Sequence, residues 1–156
     1  MLKRILVCLD GSELAEQILP YAIKEAKCCK SQLILLQVVT PAPTEALSVA
    51  SAYASAEKVA EEIQKEEEKT RREENEARAY LECVAQSLRE KGLDVELVAV
   101  RGKAGEAIVS YADNNRIDLI ALATHGRSGL GSAIFGSVAN YVLRESGLPI
   151  LLIKPR

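Results

Sequence analysis

The sequence predicts an α/β protein built on an open parallel sheet of five strands with helices on both faces. Two observations carry this. Five short runs rich in apolar residues, at residues 5–9, 33–39, 95–100, 119–123 and 149–154, have the length of strands buried on both sides. Segments with helical spacing stand between them, and a strand-helix alternation of this kind implies parallel strands joined by right-handed crossovers. At 156 residues the chain is long enough for one domain with a proper core.

Lys3 and Arg4 lead into the first run, and Asp10-Gly11-Ser12 turns the chain after it, with Ser12 as N-cap of the helix that follows. Leu14, Ile18, Tyr21, Ala22 and Ile23 form that helix's apolar stripe, and Pro20 predicts a kink within it. The second run is apolar except for Gln37 and ends at Pro41 and Pro43. Residues 44–91 favour helix, yet one straight helix of that length would run ~70 Å, too long for a compact domain of this size. The stripe Ala77, Leu81, Val84 and Leu88 predicts that 77–91 docks on the sheet. Residues 44–76 read as a helical, charged insertion. From Glu66 to Glu76 no apolar residue occurs, and Glu61 with Lys65, Glu67 with Arg71 and Glu68 with Arg72 have the spacing of surface ion pairs. The Ala- and Ser-rich part at 46–60 fits a lid over a ligand as well as a partner contact. The third run ends at Arg101-Gly102-Lys103, a helix with Ile108 and Tyr111 facing inward follows, and a last helix runs to about Ser146.

The whole-chain numbers exclude several classes. A formal charge of −2 gives no general attraction to nucleic acid or acidic membranes. No apolar run approaches the ~20 residues of a membrane span. The first ten residues reach an acid too soon for a signal peptide, so the expected location is the cytoplasm. Cys8, Cys28, Cys29 and Cys83 form no metal-binding spacing with the lone His125, and Cys8 reads as a small core residue.

The chemistry concentrates after the fourth run, where Thr124-His125-Gly126 opens a loop carrying Gly126, Gly129, Gly131 and Gly136 before helical spacing resumes. Ligands of open α/β sheets sit at the carboxyl ends of strands. A helix N-terminus offers unpaired N–H groups and partial positive charge, and glycines let the backbone approach a phosphate. The loop therefore reads as a phosphate cradle, a plain glycine-rich turn being the alternative. It is not a Walker A sequence, because no Gly-Lys-Ser/Thr follows the glycines. Nor does it fit Gly-x-Gly-x-x-Gly, since Ile134 stands where the third glycine belongs.

Gly126, nine residues, then Gly136-Ser137, preceded by a buried strand and Thr-His-Gly, resembles the universal stress protein family. Its ATP-binding members carry Gly-x-x-Gly-x9-Gly-Ser/Thr here; Ala123 replaces the first glycine, while Gly126, Gly136 and Ser137 match. Ile5 to Ser12, Leu35 to Val39 and Pro149 to Lys154 resemble other strands of that family, and about residues 41–76 fall outside the likeness. The resemblance implies a Rossmann-like sheet in the order 3-2-1-4-5, with the site at the switch point between strands one and four. It implies ATP as ligand, with Mg or Mn among the phosphates, although no carboxylate cluster is dedicated to the ion. Asp10 and the backbone of Val38 would hold the adenosine part, and Gly126, Gly136 and Ser137 the phosphates. Arg127 and Ser128, in the loop, are further candidates for phosphate oxygens. Arg101 and Lys103 are weaker ones, and His125 reads as a spacer.

The last run is an apolar edge that no later element can cover, which predicts a homodimer paired through it; in the resembling family this strand is the usual dimer contact. Three functional readings follow: an ATP-binding regulatory protein with an unidentified protein partner, a nucleotide-independent interaction protein, and a slow ATPase. No residue stands out as a general base, and no catalytic residue is assigned.

Overall fold

The computed structural model describes residues 1–43, 55–124 and 136–156. Each apolar run forms a strand: β1 (Arg4–Leu9), β2 (Gln32–Val39), β3 (Val95–Arg101), β4 (Leu119–Ala123) and β5 (Ile150–Ile153). All pair in parallel, in the order β3-β2-β1-β4-β5. Ile5 stands opposite Leu33 on one side and Leu119 on the other, so β1 is the centre of the sheet.

Between the strands lie α1 (Glu13–Glu16), α2 (Leu19–Cys29), α3 (Ala56–Glu90), α4 (Ala104–Asn114) and α5 (Gly136–Glu145). Side chains two apart on a strand share a face, and this divides the core in two. Ile5, Val7, Leu33 and Leu35 pack with Ala22 and Ala26 of α2 and with Leu81 and Leu88 of α3. Leu6, Ile34, Leu36 and Leu122 pack with Ile108 of α4 and with Ala139 and Val142 of α5. Both faces are thus covered, as the near-continuous apolar runs require.

The amino ends of β1 and β4 are tied together. Asp118 Oδ2 accepts the N–H groups of Lys3 at 2.7 Å and Arg4 at 2.9 Å, and Asp118 N–H donates to the Arg4 carbonyl at 2.9 Å. Those amides, Arg4 foremost, hold the Asp118 carboxyl below the usual carboxylate range.

Three local readings are corrected. Pro20 does not kink one helix: α1 ends at Glu16, and Pro20 falls in the first turn of α2, where its missing N–H removes no bond. Tyr21 lies outside the apolar stripe, 53% exposed. The charged stretch is not separate from the docked helix, because α3 is a single helix of 35 residues, about 52 Å long. It contains no Gly or Pro, and what holds it differs from the expected ion pairs, none of which closes among the described residues. Glu67 and Glu74 instead reach Arg101 at the end of β3, at 3.0 and 2.7 Å. Thr70 is buried between them, its hydroxyl donating to the Glu66 carbonyl at 2.9 Å. From Ala77 onward the expected stripe does dock, with Ala77, Leu81 and Leu88 buried.

Candidate functional site

The carboxyl ends of β1, β2 and β4 form the floor of a cavity of about 480 Å³, walled by α4 and the start of α5. Such a volume is in the range of small-molecule sites. Cys8 and Leu36 from the strands, Ile108 from α4 and Val138 from α5 make most of the surface apolar, while Asp10, Thr124 and Ser137 add polar groups. Asp10 is the only charged side chain among the described residues lining it.

Asp10 follows β1 directly. Its Oδ1 accepts the N–H of Ser12 at 2.9 Å and the Ser12 hydroxyl at 2.6 Å, and Ser12 Oγ in turn accepts the N–H of Ala15 at 3.1 Å. Asp10 therefore braces the turn that starts α1, through Gly11 in the left-handed region (φ 83°). Val38 faces the cavity from β2, on the side of the sheet that packs against α4 and α5.

The opposite wall is built by α5. Gly136 has φ 66°, and a Cβ placed on it would meet nothing within 4 Å, so its backbone stands bare at the cavity. Ser137 beside it is exposed. These are the first residues of α5, where N–H groups lack helical partners and the helix dipole is positive. Ala123, last in β4, lines the cavity between the two walls. Next to it Thr124 is 4% exposed and donates its N–H to the Ile153 carbonyl at 2.8 Å.

Asp10, Val38, Ala123, Gly136 and Ser137 are therefore gathered at one cavity. Gly126 and Arg127, with His125 and Ser128, lie outside the described residues. Arg101 and Lys103 are absent from the lining: Arg101 is turned to α3, and Lys103 stands 3.9 Å from Glu106. Cys8, Ile108 and Leu122 read from sequence as core residues only. Their position at the carboxyl ends of buried strands, or on the helix facing them, was the available signal that they also border a site. Burial pushes the Cys8 thiol up to about 12, so it is a neutral apolar contact rather than a nucleophile.

The arrangement is an apolar slot with an acid and a strand end at one side and a positive helix end at the other. It suits a ligand with a flat, weakly polar part and an anionic part. Comparison with known proteins bears on its origin. The universal stress protein family profile matches residues 1–154. Universal stress protein Sll1388 of Synechocystis is 32% identical over 151 residues, covering 97% of each chain. Universal stress protein MJ0577 of Methanocaldococcus jannaschii is 31% identical over 156 residues, with 99% of this chain and 96% of that one covered. Its solved structure superposes with a TM-score of 0.73 at 27% identity, covering 100% and 98% of the two chains. The universal stress protein of Archaeoglobus fulgidus in complex with dAMP shares the fold, with a TM-score of 0.63 at 18% identity over 99% and 98% of the chains. With the family profile over residues 1–154 and relatives at 31 and 32% identity over nearly its full length, the chain belongs to the universal stress protein family.

Proposed function

We propose that this protein binds ATP in the cavity at the carboxyl ends of β1 and β4 and acts as a regulatory module rather than an enzyme. The observation that carries this is the opposition of the Asp10–Val38 wall to the bare backbone of Gly136 and the Ser137 hydroxyl across an apolar slot. Adenine suits the apolar part. Asp10 and the backbone near Val38 take the nucleoside, and the first N–H groups of α5 with Ser137 take phosphate oxygens. Gly126 and Arg127 complete the phosphate contacts in this reading, with Mg or Mn among them. That a protein of this fold carries dAMP is support at the level of the fold. The protein works in the cytoplasm as one domain over residues 1–156, as a homodimer.

Titration calorimetry tests it. ATP should bind saturably, and more tightly than GTP, because adenine is read partly by strand backbone. Ser137→Ala should weaken binding by about 1 to 2 kcal/mol, through loss of one hydroxyl to a charged oxygen. Gly136→Val should abolish it, since a branched side chain would enter the phosphate space at a φ it rarely adopts. No heat with wild type at millimolar ATP would sink the proposal in favour of an interaction protein without nucleotide. Ala123→Gly would then ask whether the methyl at the first motif position is the obstacle.

A further inference from the structure

Cys28 and Cys29 stand side by side at the end of α2, and the cavity uses neither. Ser31, two residues on, donates its hydroxyl to the Leu2 carbonyl at 2.7 Å, so the pair lies at the amino ends of the strands, the rim opposite the cavity. Both are free thiols, Cys28 exposed and Cys29 half-buried, so a small solute reaches them from solvent. Cys83, on α3, is exposed as well, but no cysteine adjoins it in the chain. Cys28 and Cys29 therefore offer two sulfurs to one ligand, where Cys83 offers one.

Geometry and protonation state decide what such a pair holds. Consecutive Cα atoms are about 3.8 Å apart, closer than the roughly 4.4–6.8 Å of ordinary disulfides. A direct S–S bond would strain the backbone, whereas a single bridging atom leaves the sulfurs farther apart. Among the described residues no third His, Cys, Asp or Glu joins the pair in a metal-holding cluster. A tetrahedral ion would thus find only half its ligands. The thiols are also kept neutral. The last turn of a helix carries partial negative charge, which opposes a thiolate. Burial, and after it the neighbouring Cys28 and Glu25, push the Cys29 thiol above its usual range. Attack on peroxides and disulfides needs the thiolate, so these neutral thiols are poor at it. What suits them is a centre that takes two sulfurs, needs no others, and carries oxygens able to accept the thiol protons. Trivalent arsenic has those properties. Because α2 ends at Cys29 and Lys30 is already left-handed (φ 56°), closing a ring there disturbs a helix end and not a helix interior.

We infer that Cys28 and Cys29 form a chelating site for trivalent arsenic carrying two exchangeable hydroxyl groups. Each S–H gives its proton to one of those hydroxyls, two As–S bonds replace two As–O bonds, and two molecules of water leave. Arsenic stays trivalent throughout, so no oxidant or reductant takes part. The site shares no residue with the nucleotide cavity and stands whether or not that cavity takes ATP.

The test uses phenylarsine oxide, which water converts to the dihydroxy form, on the reduced full chain. Intact-mass spectrometry reads the product in the presence of excess 2-mercaptoethanol, which strips arsenic from a single thiol but not from a chelating pair. One arsenical per chain is expected, at the mass of the dihydroxy form less two waters, and 2,3-dimercaptopropanol should remove it. Cys28→Ser and Cys29→Ser should each weaken retention about a hundredfold or more, because the second sulfur of a chelate acts at high effective concentration. Cys83→Ser should retain the arsenical as wild type does. All three positions are at least partly exposed and the exchange is nearly isosteric, and circular dichroism checks that each variant is folded. The inference is overturned if no adduct survives the monothiol, if either Cys28→Ser or Cys29→Ser keeps it as wild type does, or if Cys83→Ser loses it.

Discussion

Gly105 has no side chain because Tyr141 occupies the space one would need. A Cβ on Gly105 would lie 2.8 Å from Tyr141 Cδ1 and Cγ, well inside contact distance. This is where α4 meets α5, one residue from Ala104 and three from Ile108, which wall the cavity. Gly105→Ala should destabilise the protein, since overpacking of about 1–3 kcal/mol exceeds the ~1 kcal/mol an alanine gains in a helix. The same shift should move the start of α5 and weaken ATP binding. Urea denaturation that found the variant as stable as wild type would show that the two helices separate freely.

Among the elements, α3 differs most from what its composition suggests. Its first two turns are exposed except at Val59, yet it continues without a break into the docked part. Arg101 is the external support: it spans Glu67 and Glu74, seven residues apart on one face of the helix, and those carboxylates hold its guanidinium more firmly protonated than usual. Surface pairs of this kind are screened by salt. Arg101→Ala should therefore speed amide hydrogen exchange upstream of Thr70, leave residues 81–88 protected, and hardly move the melting temperature; high salt should reproduce it. Equal protection in variant and wild type would mean the helix is held by its own propensity.

The same helix shows where sequence reading runs out. The five strands were legible to within a residue or so, since short runs rich in Val, Ile and Leu between turn residues favour strands in the centre of the sheet and at its edges alike. Leu81 and Leu88 were legible because their spacing is helical and their partners are the sheet itself. Arg101 was not: at a strand end it resembles a phosphate ligand, and only the fold brings α3 beside it. Asp10, Val38, Ala123, Gly136 and Ser137 could be named through a motif, which encodes backbone shape. Cys8 and Ile108 carry no such mark, because an apolar cavity wall and an apolar core have one composition.

At the scale of the molecule, β5 is an edge. It pairs with β4 alone, and all four of its residues are partly exposed. An apolar edge left bare invites uncontrolled pairing. The chain after it turns away, with Pro155 buried and Arg156 joined to Gln17 through N–H and carbonyl at 3.0 and 3.1 Å. We expect two copies to pair antiparallel through β5 about a two-fold axis. Leu152→Pro, which deletes an N–H from that edge, should yield monomer or aggregate. Light scattering that found wild type monomeric at micromolar concentration would remove this reading. The parallel sheet also sets a direction. All five strands point their carboxyl ends, and hence the cavity, toward one rim of the sheet. An antiparallel seam reverses that rim in the second copy, so the two cavities open to opposite sides of the dimer. No single partner segment can then cap both cavities, and whatever passes between them must travel through β4 and β5.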